Sequence, residues 1–430
     1  MTVWNDREFT TNLAHVTWMA NIVVQIHHNE RATGDPARNW VTSWAHRYFV
    51  GDNLRVLVLG CGEGWLERSL AEQPYIANID ACDFAEEAVE RARELARAQG
   101  LGKIHYHVTD LNTAMLEENA YDVVVAHAVL HHIEKLEHAF GQIERAMRPN
   151  ATFIINEYVG AKRFQYSEDV LRIINELLAC LPEPLRRGAV ERRVYDRRER
   201  PTVEQMIASD PTEAVRSDEL LPFIESRFEV LDRRDIGGTI LQHLLYDIAQ
   251  NFRFDDPRER AYLELLCNIE AMLVDGGRIP ADFVLLAARK KGAQGRYARP
   301  LPPRPEAATD TEPDPLGKYR RVRGARVVRF PLSVFRASLC AGRSTDNGQR
   351  KTENVAVNAH HLRALRIALL STQPRRANLF HESQFWAFME RLRARRPAGE
   401  WLRRRYSAYG DDPTILALLD KTCTLAPHGG

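Results

Sequence analysis

The feature that most constrains this fold is a short apolar run that leads straight into glycines. Residues 55–64 read Arg-Val-Leu-Val-Leu-Gly-Cys-Gly-Glu-Gly, and a helical pattern begins at Trp65. A continuous apolar run of this kind is typical of a strand buried on both faces. Glycines between such a strand and a helix let the backbone turn sharply and approach a ligand closely. The segment therefore predicts a small-molecule cradle at the end of a buried strand.

The glycine spacing argues against a nucleotide-dependent oxidoreductase, which is one alternative function. The dinucleotide fingerprint has a third glycine or alanine five residues after the first. That position is Trp65 here, and its side chain is too bulky for close packing of the helix on the strand. A second alternative, a cofactor-binding regulator or scaffold without catalysis, stays open because binding can be preserved where turnover is not.

Strand and helix patterns alternate over the hundred residues that follow. Apolar runs predict four further strands, at 75–82, 104–108, 121–126 and 152–155. Amphipathic patterns predict helices at 86–99 and 136–147. This alternation is typical of a parallel sheet with helices on its faces. An acid about 20 residues past the glycines is placed to bind a ribose diol, and both Asp83 and Asp80 are candidates.

Five segments, taken together, closely resemble the class I S-adenosylmethionine-dependent methyltransferases. They read VLVLGCGEG, ACDFAEEAVERAR, VTDLN, YDVVVAHAVLHHI and AMRPNATFIINEY, and they span roughly residues 54–158. The segments NEYVGAKRFQY, DPTEAVRSDEL and DIGGTI resemble a bacterial, small-molecule type subgroup of that family. The resemblance implies S-adenosylmethionine as the cofactor. It also implies a doubly wound α/β fold with a mostly parallel, seven-stranded sheet whose last strand is antiparallel.

The resemblance also assigns roles around the cofactor. The glycine loop would lie against the methionine part, Asp83 would bind the ribose, and Asp110 would reach the adenine beside Leu111. The competing structural interpretations are a helix cap for Asp83 and a turn residue for Asp110. The predicted cofactor-binding residues are Gly60, Cys61, Gly62, Gly64, Asp83, Phe84, Asp110, Leu111 and His127.

Few side chains are needed for transfer to an oxygen or nitrogen of a small-molecule acceptor, since positioning and exclusion of water do most of the work. A hydroxyl acceptor would also need a general base. The candidates are Glu157, His131, His132 and His243. Each histidine could instead be simply packed or solvated. Nucleic-acid methylation is an unfavoured alternative, because Asn156-Glu157-Tyr158 stands where base-amino methylases have an Asn-Pro-Pro-Tyr type motif.

Charge and composition divide the chain. Residues 293–430 contain 25 Lys and Arg against 12 Asp and Glu, which is a net charge of +13. The whole chain has a net charge of +1, so residues 1–292 are net acidic. We predict N-terminal helices at 1–53, the methyltransferase domain at 54–292, a linker at 293–318 and a basic, partly helical region at 319–430. Basic clusters at 320–323 and 403–405 could bind phosphates, but docking or self-association through an amphipathic helix at 379–394 is favoured.

The remaining helices and strands are predicted from periodicity. Helices are expected at 8–29, 37–49, 166–186, 201–225, 239–252 and 257–275, and strands at 228–235 and 283–288. Six scattered cysteines indicate reduced thiols and no zinc spacing, so no metal site is predicted. No apolar run is long enough to span a membrane, and no signal-peptide pattern is recognisable, so a cytoplasmic location is expected.

Overall fold

The computed structural model describes residues 16–295, 297–300, 402, 406, 409 and 411–425. Four sequence predictions lie wholly or partly outside these residues: the start of the first helix, most of the linker, both basic clusters and the amphipathic helix at 379–394. Among the described residues, no helix is both long and apolar enough to cross a bilayer.

The core is a single seven-stranded sheet. Its strands are β1 Leu54–Leu59, β2 Ile76–Asp83, β3 Ile104–Val108, β4 Tyr121–His127, β5 Met147–Tyr158, β6 Phe228–Gly237 and β7 Phe283–Lys290. The spatial order is β3-β2-β1-β4-β5-β7-β6. Strands β1 to β5 pair in parallel, whereas β7 runs antiparallel to both β5 and β6. The predicted fold class is confirmed, including the antiparallel last strand.

Helices cover both faces of the sheet, which explains why the inner strand β1 is apolar except at Arg55. The helices are α1 Ile22–Thr33, α2 Trp40–Tyr48, α3 Trp65–Leu70, α4 Glu86–Ala98, α5 Leu136–Ala146, α6 Glu168–Ala179, α7 Val203–Ser209, α8 Leu220–Arg227, α9 Leu241–Leu244, α10 Pro257–Asp275 and α11 Pro413–Leu425. Val56, Val58 and Leu59 in β1 are fully buried. Val56 and Val58 belong to one hydrophobic cluster and Leu59 to another, so β1 contributes to the core on both faces.

The register of the parallel strands brings their carboxyl ends to one edge. Leu59 lies opposite Cys82 on one side and Ala126 on the other, and His127 lies opposite Asn156. The glycine loop and the residues that follow β2, β4 and β5 therefore meet at this edge. Ligands of open α/β sheets bind in this kind of crevice.

The predicted N-terminal helix over 8–29 is interrupted within its described part. A short helical turn covers Trp18–Ala20, and Asn21 then begins α1 by accepting a hydrogen bond from Val23 N at 2.9 Å. The Asn21 amide also donates to the carbonyls of Ala249 and Phe252. These bonds to a distant segment stabilise a break that the apolar pattern does not reveal.

The predicted helices over 201–225 and 239–252 are wrong in their middle parts. The first divides into α7 and α8, with an irregular segment at 210–216 between them. Asp210 and Pro211 end α7, since the residue before a proline disfavours helical dihedrals. The second retains only α9 and a short turn at Ala249–Asn251. Asp247, with a φ of 58°, lies between them.

Helix α11 packs on α10 and α6, although the sheet takes no strand from this part of the chain. Ile415 and Leu418 are fully buried, and Lys421 Nζ lies 3.1 Å from Glu176 Oε2. The hydroxyl of Tyr262 donates to Asp412 Oδ2 at 2.7 Å. Residues near the carboxyl end of the chain therefore cover apolar surface of the sheet-bearing part.

This packing predicts a stability difference between two leucines of α11. Leu418→Ala should destabilise the protein by about 2–5 kcal/mol, since a buried leucine leaves a cavity when it is truncated. Leu416 is 40% exposed, and Leu416→Ala should change stability by less than about 0.5 kcal/mol. Thermal and denaturant unfolding of the full chain would compare the two variants. Equal melting temperatures would contradict the docking of α11.

Candidate active site

A cavity of about 960 Å³ opens at the carboxyl edge of the sheet. Its wall includes residues that the sequence predicts for the cofactor, namely Gly60, Gly62, Asp83, Phe84, Asp110, Leu111 and His127. The wall also includes His131, His132, Thr212 and Glu213 together with several aromatic side chains. The structure does not place Cys61, Gly64, Glu157 or His243 on the cavity wall.

The glycine loop presents open backbone to the cavity at Gly62. The φ of Gly62 is +49°, and a Cβ atom at this position would meet no protein atom within 4 Å. Gly62 N donates to Asp83 Oδ2 at 2.9 Å, which fixes the loop to the end of β2. A ligand can thus lie directly against the backbone at Gly62.

Unlike Gly62, the neighbouring residues Gly64 and Cys61 pack against protein atoms and do not line the cavity. Gly64 has a φ of +75°, and a Cβ atom there would lie 2.3 Å from the Tyr106 hydroxyl oxygen. The absence of a side chain at Gly64 therefore serves the packing of α3 against the sheet. Cys61 is buried, and burial raises the pKa of its thiol well above the usual range. The thiol therefore stays protonated and unreactive.

The two acids of β2 have different environments. Asp83 lines the cavity, and its Oδ1 accepts a hydrogen bond from Ala85 N at 2.9 Å. Burial raises the pKa of Asp83, although the backbone N–H groups of Ala85 and Gly62 oppose that rise. Asp80 lies away from the cavity and pairs with Arg55 at 3.1 Å and His107 at 3.5 Å. Asp83 therefore faces the cavity, whereas Asp80 is a buried carboxylate whose ion pairs are with Arg55 and His107.

The residues predicted for adenine, Asp110 and Leu111, line the cavity together with Phe84. Phe84 is 36% exposed, Leu111 is buried, and the carboxylate of Asp110 is exposed. Asp110 Oδ1 also accepts hydrogen bonds from the backbone and side chain of Asn112, both at 2.9 Å. Asp110 is thus a turn residue that also lines the cavity, so its two interpretations are compatible.

His127 lies among aromatic rings at the end of β4. Its ring centroid is 5.5 Å from that of Trp40 and 5.3 Å from that of Trp65. Burial lowers the pKa of His127, and burial lowers that of the neighbouring His28 to about 3. The middle of the cavity therefore has a neutral, aromatic wall, to which the N-terminal segment contributes Trp18, His28 and Trp40.

His131 and Glu157 form a buried pair, of which the His131 side chain lines the cavity. Glu157 is fully buried, and Oε1 of its side chain is hydrogen-bonded to His131 Nδ1. Glu157 Oε2 accepts from Val129 N at 2.9 Å and from Leu130 N at 2.6 Å. Burial opposes ionisation, but the His131 ring and these N–H groups lower the pKa of Glu157. Glu157 thus lies behind His131 and orients its ring.

The Nδ1 atom of His132 is also hydrogen-bonded, in this case to a residue of the loop at 210–216. Its Nδ1 lies 3.0 Å from Thr212 Oγ1, and the Thr212 hydroxyl donates to Asp210 Oδ1 at 2.7 Å. The ring centroids of His131 and His132 are 4.1 Å apart. Arg163 donates to the carbonyls of Glu213 and Pro211 at 2.8 and 2.7 Å, which stabilises the loop beside the histidines.

Glu213 completes this cluster. Its Oε1 lies 3.4 Å from His131 Nε2, and its Oε2 lies 3.9 Å from His132 Nε2. Burial raises the pKa of Glu213. Burial also disfavours charge on His131, but the Glu157, Glu213 and Asp210 carboxylates raise its pKa to about 9. The pKa of His132 falls to about 3 because of burial and the adjacent His131.

His243, the fourth base candidate, packs between aromatic rings away from the cavity. Its ring centroid is 4.2 Å from that of Tyr166 and 5.5 Å from that of Phe164. Burial lowers the pKa of His243 to about 3, with a further contribution from Arg198. These contacts are those of a core residue.

Sequence reasoning missed Asp210, Thr212 and Glu213 as site residues. Their segment falls within the helix predicted over 201–225, and none of the three is among the predicted site residues. The available signal was Asp210-Pro211, which favours a helix end, followed by an acid in a stretch without helical periodicity. The N-terminal aromatic residues carried no sequence signal beyond an amphipathic pattern.

Comparison with known proteins identifies the central part of the sheet. Residues 57–155 match a family model described as a methyltransferase domain. A demethylmenaquinone methyltransferase of Leptospira interrogans is 25% identical over 149 residues, which is 34% of this chain and 52% of that protein. A malonyl-acyl-carrier-protein O-methyltransferase of Bacillus anthracis is 25% identical over 129 residues, 30% of this chain and 46% of that protein.

Two further similarities complete the comparison. The sterol 24-C-methyltransferase erg-4 of Neurospora crassa is 29% identical over 113 residues, 26% of this chain and 29% of that protein. Among solved structures, a geranyl diphosphate methyltransferase in complex with GPP and sinefungin is 12% identical, with a TM-score of 0.38. That similarity covers 58% of this chain and 75% of the other. The chain spans about half or less of the length of the curated relatives it matches.

Proposed function

Because residues 57–155 are a class I S-adenosylmethionine-dependent methyltransferase domain, we propose that the whole protein is a small-molecule methyltransferase. It transfers a methyl group from S-adenosylmethionine to an oxygen or nitrogen of a largely apolar acceptor. The observation that carries this proposal is that the glycine cradle, Asp83 and His131 all line one cavity.

The cavity fits the cofactor in three respects. The backbone at Gly62 faces open space, the Asp83 carboxylate lines the wall, and a volume of about 960 Å³ accommodates both a cofactor and an acceptor. Asp83 would accept hydrogen bonds from the ribose hydroxyls, and Asp110, Leu111 and Phe84 would surround the adenine. His127 would lie near the methionine end.

Other residues of the cavity wall provide the groups that handle the acceptor. Bound S-adenosylmethionine supplies an activated methyl group, so the protein has to position the acceptor and exclude water. His131 and Glu213 line the cavity. The His131 ring, which the surrounding carboxylates keep protonated at neutral pH, can donate a hydrogen bond to the acceptor oxygen, and the Glu213 carboxylate can accept the hydroxyl proton, whereas Glu157 keeps the His131 ring in place. We therefore assign Glu157 a positioning role rather than direct contact with the acceptor. His243 is given no role.

The apolar part of the wall indicates the class of acceptor. Apolar and aromatic side chains line much of the cavity, among them Trp18, Met19, Tyr158, Phe164, Tyr246 and Phe283. Such a wall favours a ring-containing or hydrocarbon-rich molecule with one polar group. Sterols and demethylmenaquinone, named for two of the relatives, are apolar molecules of this general kind. A nucleic-acid acceptor would depend on basic clusters that lie outside the described residues.

The cofactor assignment is tested by comparing the two acids of β2. Asp83→Ala should weaken S-adenosylhomocysteine binding by about 1.5–3 kcal/mol, or roughly 10–150-fold, because the ribose loses its charged acceptor. Asp80→Ala is the matched control, since Asp80 contacts Arg55 and His107 away from the cavity. Isothermal titration calorimetry would measure both affinities. A larger loss for Asp80→Ala would overturn the assignment.

Catalysis is distinguished from a scaffold role by turnover. The protein with labelled S-adenosylmethionine and a panel of apolar phenols, alcohols and amines should yield a methylated product. Cofactor binding without transfer to any acceptor of these classes would favour the regulatory or scaffold alternative.

A further inference from the structure

We propose that His131, His132 and Glu213 bind a divalent transition-metal cation in the cavity. The sequence predicts no metal site, because the two histidines are adjacent and the carboxylate comes from a distant loop. Only the fold brings the three side chains together. The binding itself is independent of the proposed methyl transfer, whereas the role of the cation rests on it.

The distances suit a cation with three protein ligands. One potential ligand atom from each of the three residues lies within 4.8 Å of the others. His131 Nε2 is 3.4 Å from Glu213 Oε1, and His132 Nε2 is 3.9 Å from Glu213 Oε2. Tetrahedral bonds of about 2.0–2.1 Å would separate ligand atoms by about 3.3–3.4 Å. Because the three ligand atoms lie up to 4.8 Å apart, the side chains would have to close in by up to about 1.4 Å to bind one cation.

The hydrogen bonds behind both rings select the form of histidine that binds metals. The ionised Glu157 side chain only accepts hydrogen bonds, so His131 Nδ1 must carry the hydrogen. The Thr212 hydroxyl gives its single hydrogen to Asp210, so it accepts from His132 Nδ1. In the neutral rings, both Nε2 atoms then carry the lone pair. Carboxylates or hydroxyls that fix a ring in this way are the usual outer partners of metal-binding histidines.

The local charge also favours a cation. Three buried or half-buried carboxylates, Glu157, Asp210 and Glu213, surround two imidazole rings. Among the described residues, the ion-pair contacts of the Glu213 carboxylate are with the two histidines. A dication between the rings would therefore compensate a negative charge that the apolar surroundings make costly.

The ligand types and the open side define the class of metal. Two imidazole nitrogens and one carboxylate oxygen suit Zn²⁺ and similar transition metals better than Mg²⁺, which prefers oxygen ligands. All three residues line the cavity, so a fourth position faces the acceptor. Three protein ligands with an open position are typical of catalytic rather than structural zinc sites.

The proposed role of the cation is to hold the acceptor. A hydroxyl oxygen bound at the open position would lie in the cavity that the glycine cradle also lines. The positive charge would lower the pKa of that hydroxyl, which would lose its proton to solvent more readily. This would explain why two histidines, each hydrogen-bonded at Nδ1, and the half-buried Glu213 carboxylate lie together in a cavity whose wall is otherwise largely apolar.

The test titrates ZnCl₂ into the tag-free full chain after removal of metals with EDTA. Calorimetry should give one Zn²⁺ per chain with a dissociation constant in the micromolar range or below, and MgCl₂ should bind at least about 100-fold more weakly. Glu213→Gln and His132→Ala should each weaken Zn²⁺ binding by at least about 100-fold. Thr212→Val, which removes the acceptor of His132 Nδ1, should weaken it by about 10–100-fold.

His107→Ala is the matched control, because His107 is an exposed histidine beside Asp80 and lies away from the cavity. This variant should bind Zn²⁺ like the wild type. No stoichiometric binding, or equal affinity in the wild type and the Glu213, His132 and Thr212 variants, would overturn the site. S-adenosylhomocysteine binding by the same variants would verify their fold.

Failure of the two proposals can be told apart. Zn²⁺ binding that depends on Glu213, without binding of S-adenosylhomocysteine, would contradict the proposed function and support the metal site. Binding of S-adenosylhomocysteine without stoichiometric Zn²⁺ would contradict the metal site and leave the proposed function standing.

Discussion

His131→Ala is expected to slow methyl transfer to a hydroxyl acceptor by about 100–10,000-fold in a single turnover. The variant removes the imidazole that lines the cavity and that Glu157 orients from behind. The acceptor hydroxyl then loses the group that holds its oxygen or its proton. Rapid quenching of the protein with labelled S-adenosylmethionine and a phenolic or aliphatic alcohol acceptor would give the rate.

The control for this variant is His138→Ala. His138 lies on α5, where its Nε2 contacts the Ala114 carbonyl at 2.8 Å away from the cavity. This change should leave the transfer rate within about threefold of the wild type. S-adenosylhomocysteine should bind both variants normally, because neither His131 nor His138 belongs to the glycine loop, and Asp83, the proposed ribose acceptor, is unchanged in both.

Two outcomes would separate the possible acceptors. If His131→Ala retains most of its activity on an amine but loses it on an alcohol, the group at His131 serves hydroxyl activation. A rate near that of the wild type on an alcohol would contradict the assignment of His131. It would mean that positioning alone accounts for the reaction.

Gly62→Val is expected to weaken binding of S-adenosylhomocysteine by at least about 100-fold, which corresponds to about 2.8 kcal/mol. The valine side chain would enter the open space that faces the cavity, where the backbone must approach the ligand. It would meet no protein atom within 4 Å of its Cβ, so the fold should persist. Calorimetry would measure the affinity, and circular dichroism would verify the fold.

Gly100→Val separates this effect from backbone strain. Gly100 has a φ of +68°, and a Cβ atom there also meets nothing within 4 Å. Both substitutions force a valine into a left-handed conformation, at a cost of about 1–3 kcal/mol in stability. Of these two glycines, Gly62 lines the cavity and Gly100 does not, so Gly62→Val should lose affinity and Gly100→Val should keep it. Equal affinities for the two variants would contradict the role of the glycine loop.

The positions of the strands were predictable from the sequence, because a buried strand requires a run of apolar residues that are adjacent in the chain. Continuous apolar runs fixed the strands within a few residues, with β3 at Ile104–Val108 as expected. The fifth strand begins at Met147, whereas the helical pattern was expected to continue to that residue. Pairing of Met147 with Tyr121 extends the strand, and such pairing depends on a neighbour that periodicity does not reveal.

The helices between β5 and β6 were less predictable. The apolar pattern of residues 201–225 fits one continuous helix as well as it fits two helices joined by a loop. The contacts of Thr212 and Glu213 with His132 and His131 join residues about 80 positions apart, so the local sequence does not predict them. Asn21 is a similar case, since its amide bonds with Ala249 and Phe252 decide where α1 begins.

The sequence by itself therefore determined the sheet, the glycine cradle and the choice of acid facing the cavity. These features depend on residues that are adjacent or that follow successive strands, and parallel strands bring their carboxyl ends to one edge. Only the tertiary structure determined the cluster in which His131 and His132 contact Glu157, Asp210 and Glu213. The physical reason is that a buried polar cluster requires partners for every charged group. Such partners come from whichever segments the fold packs together.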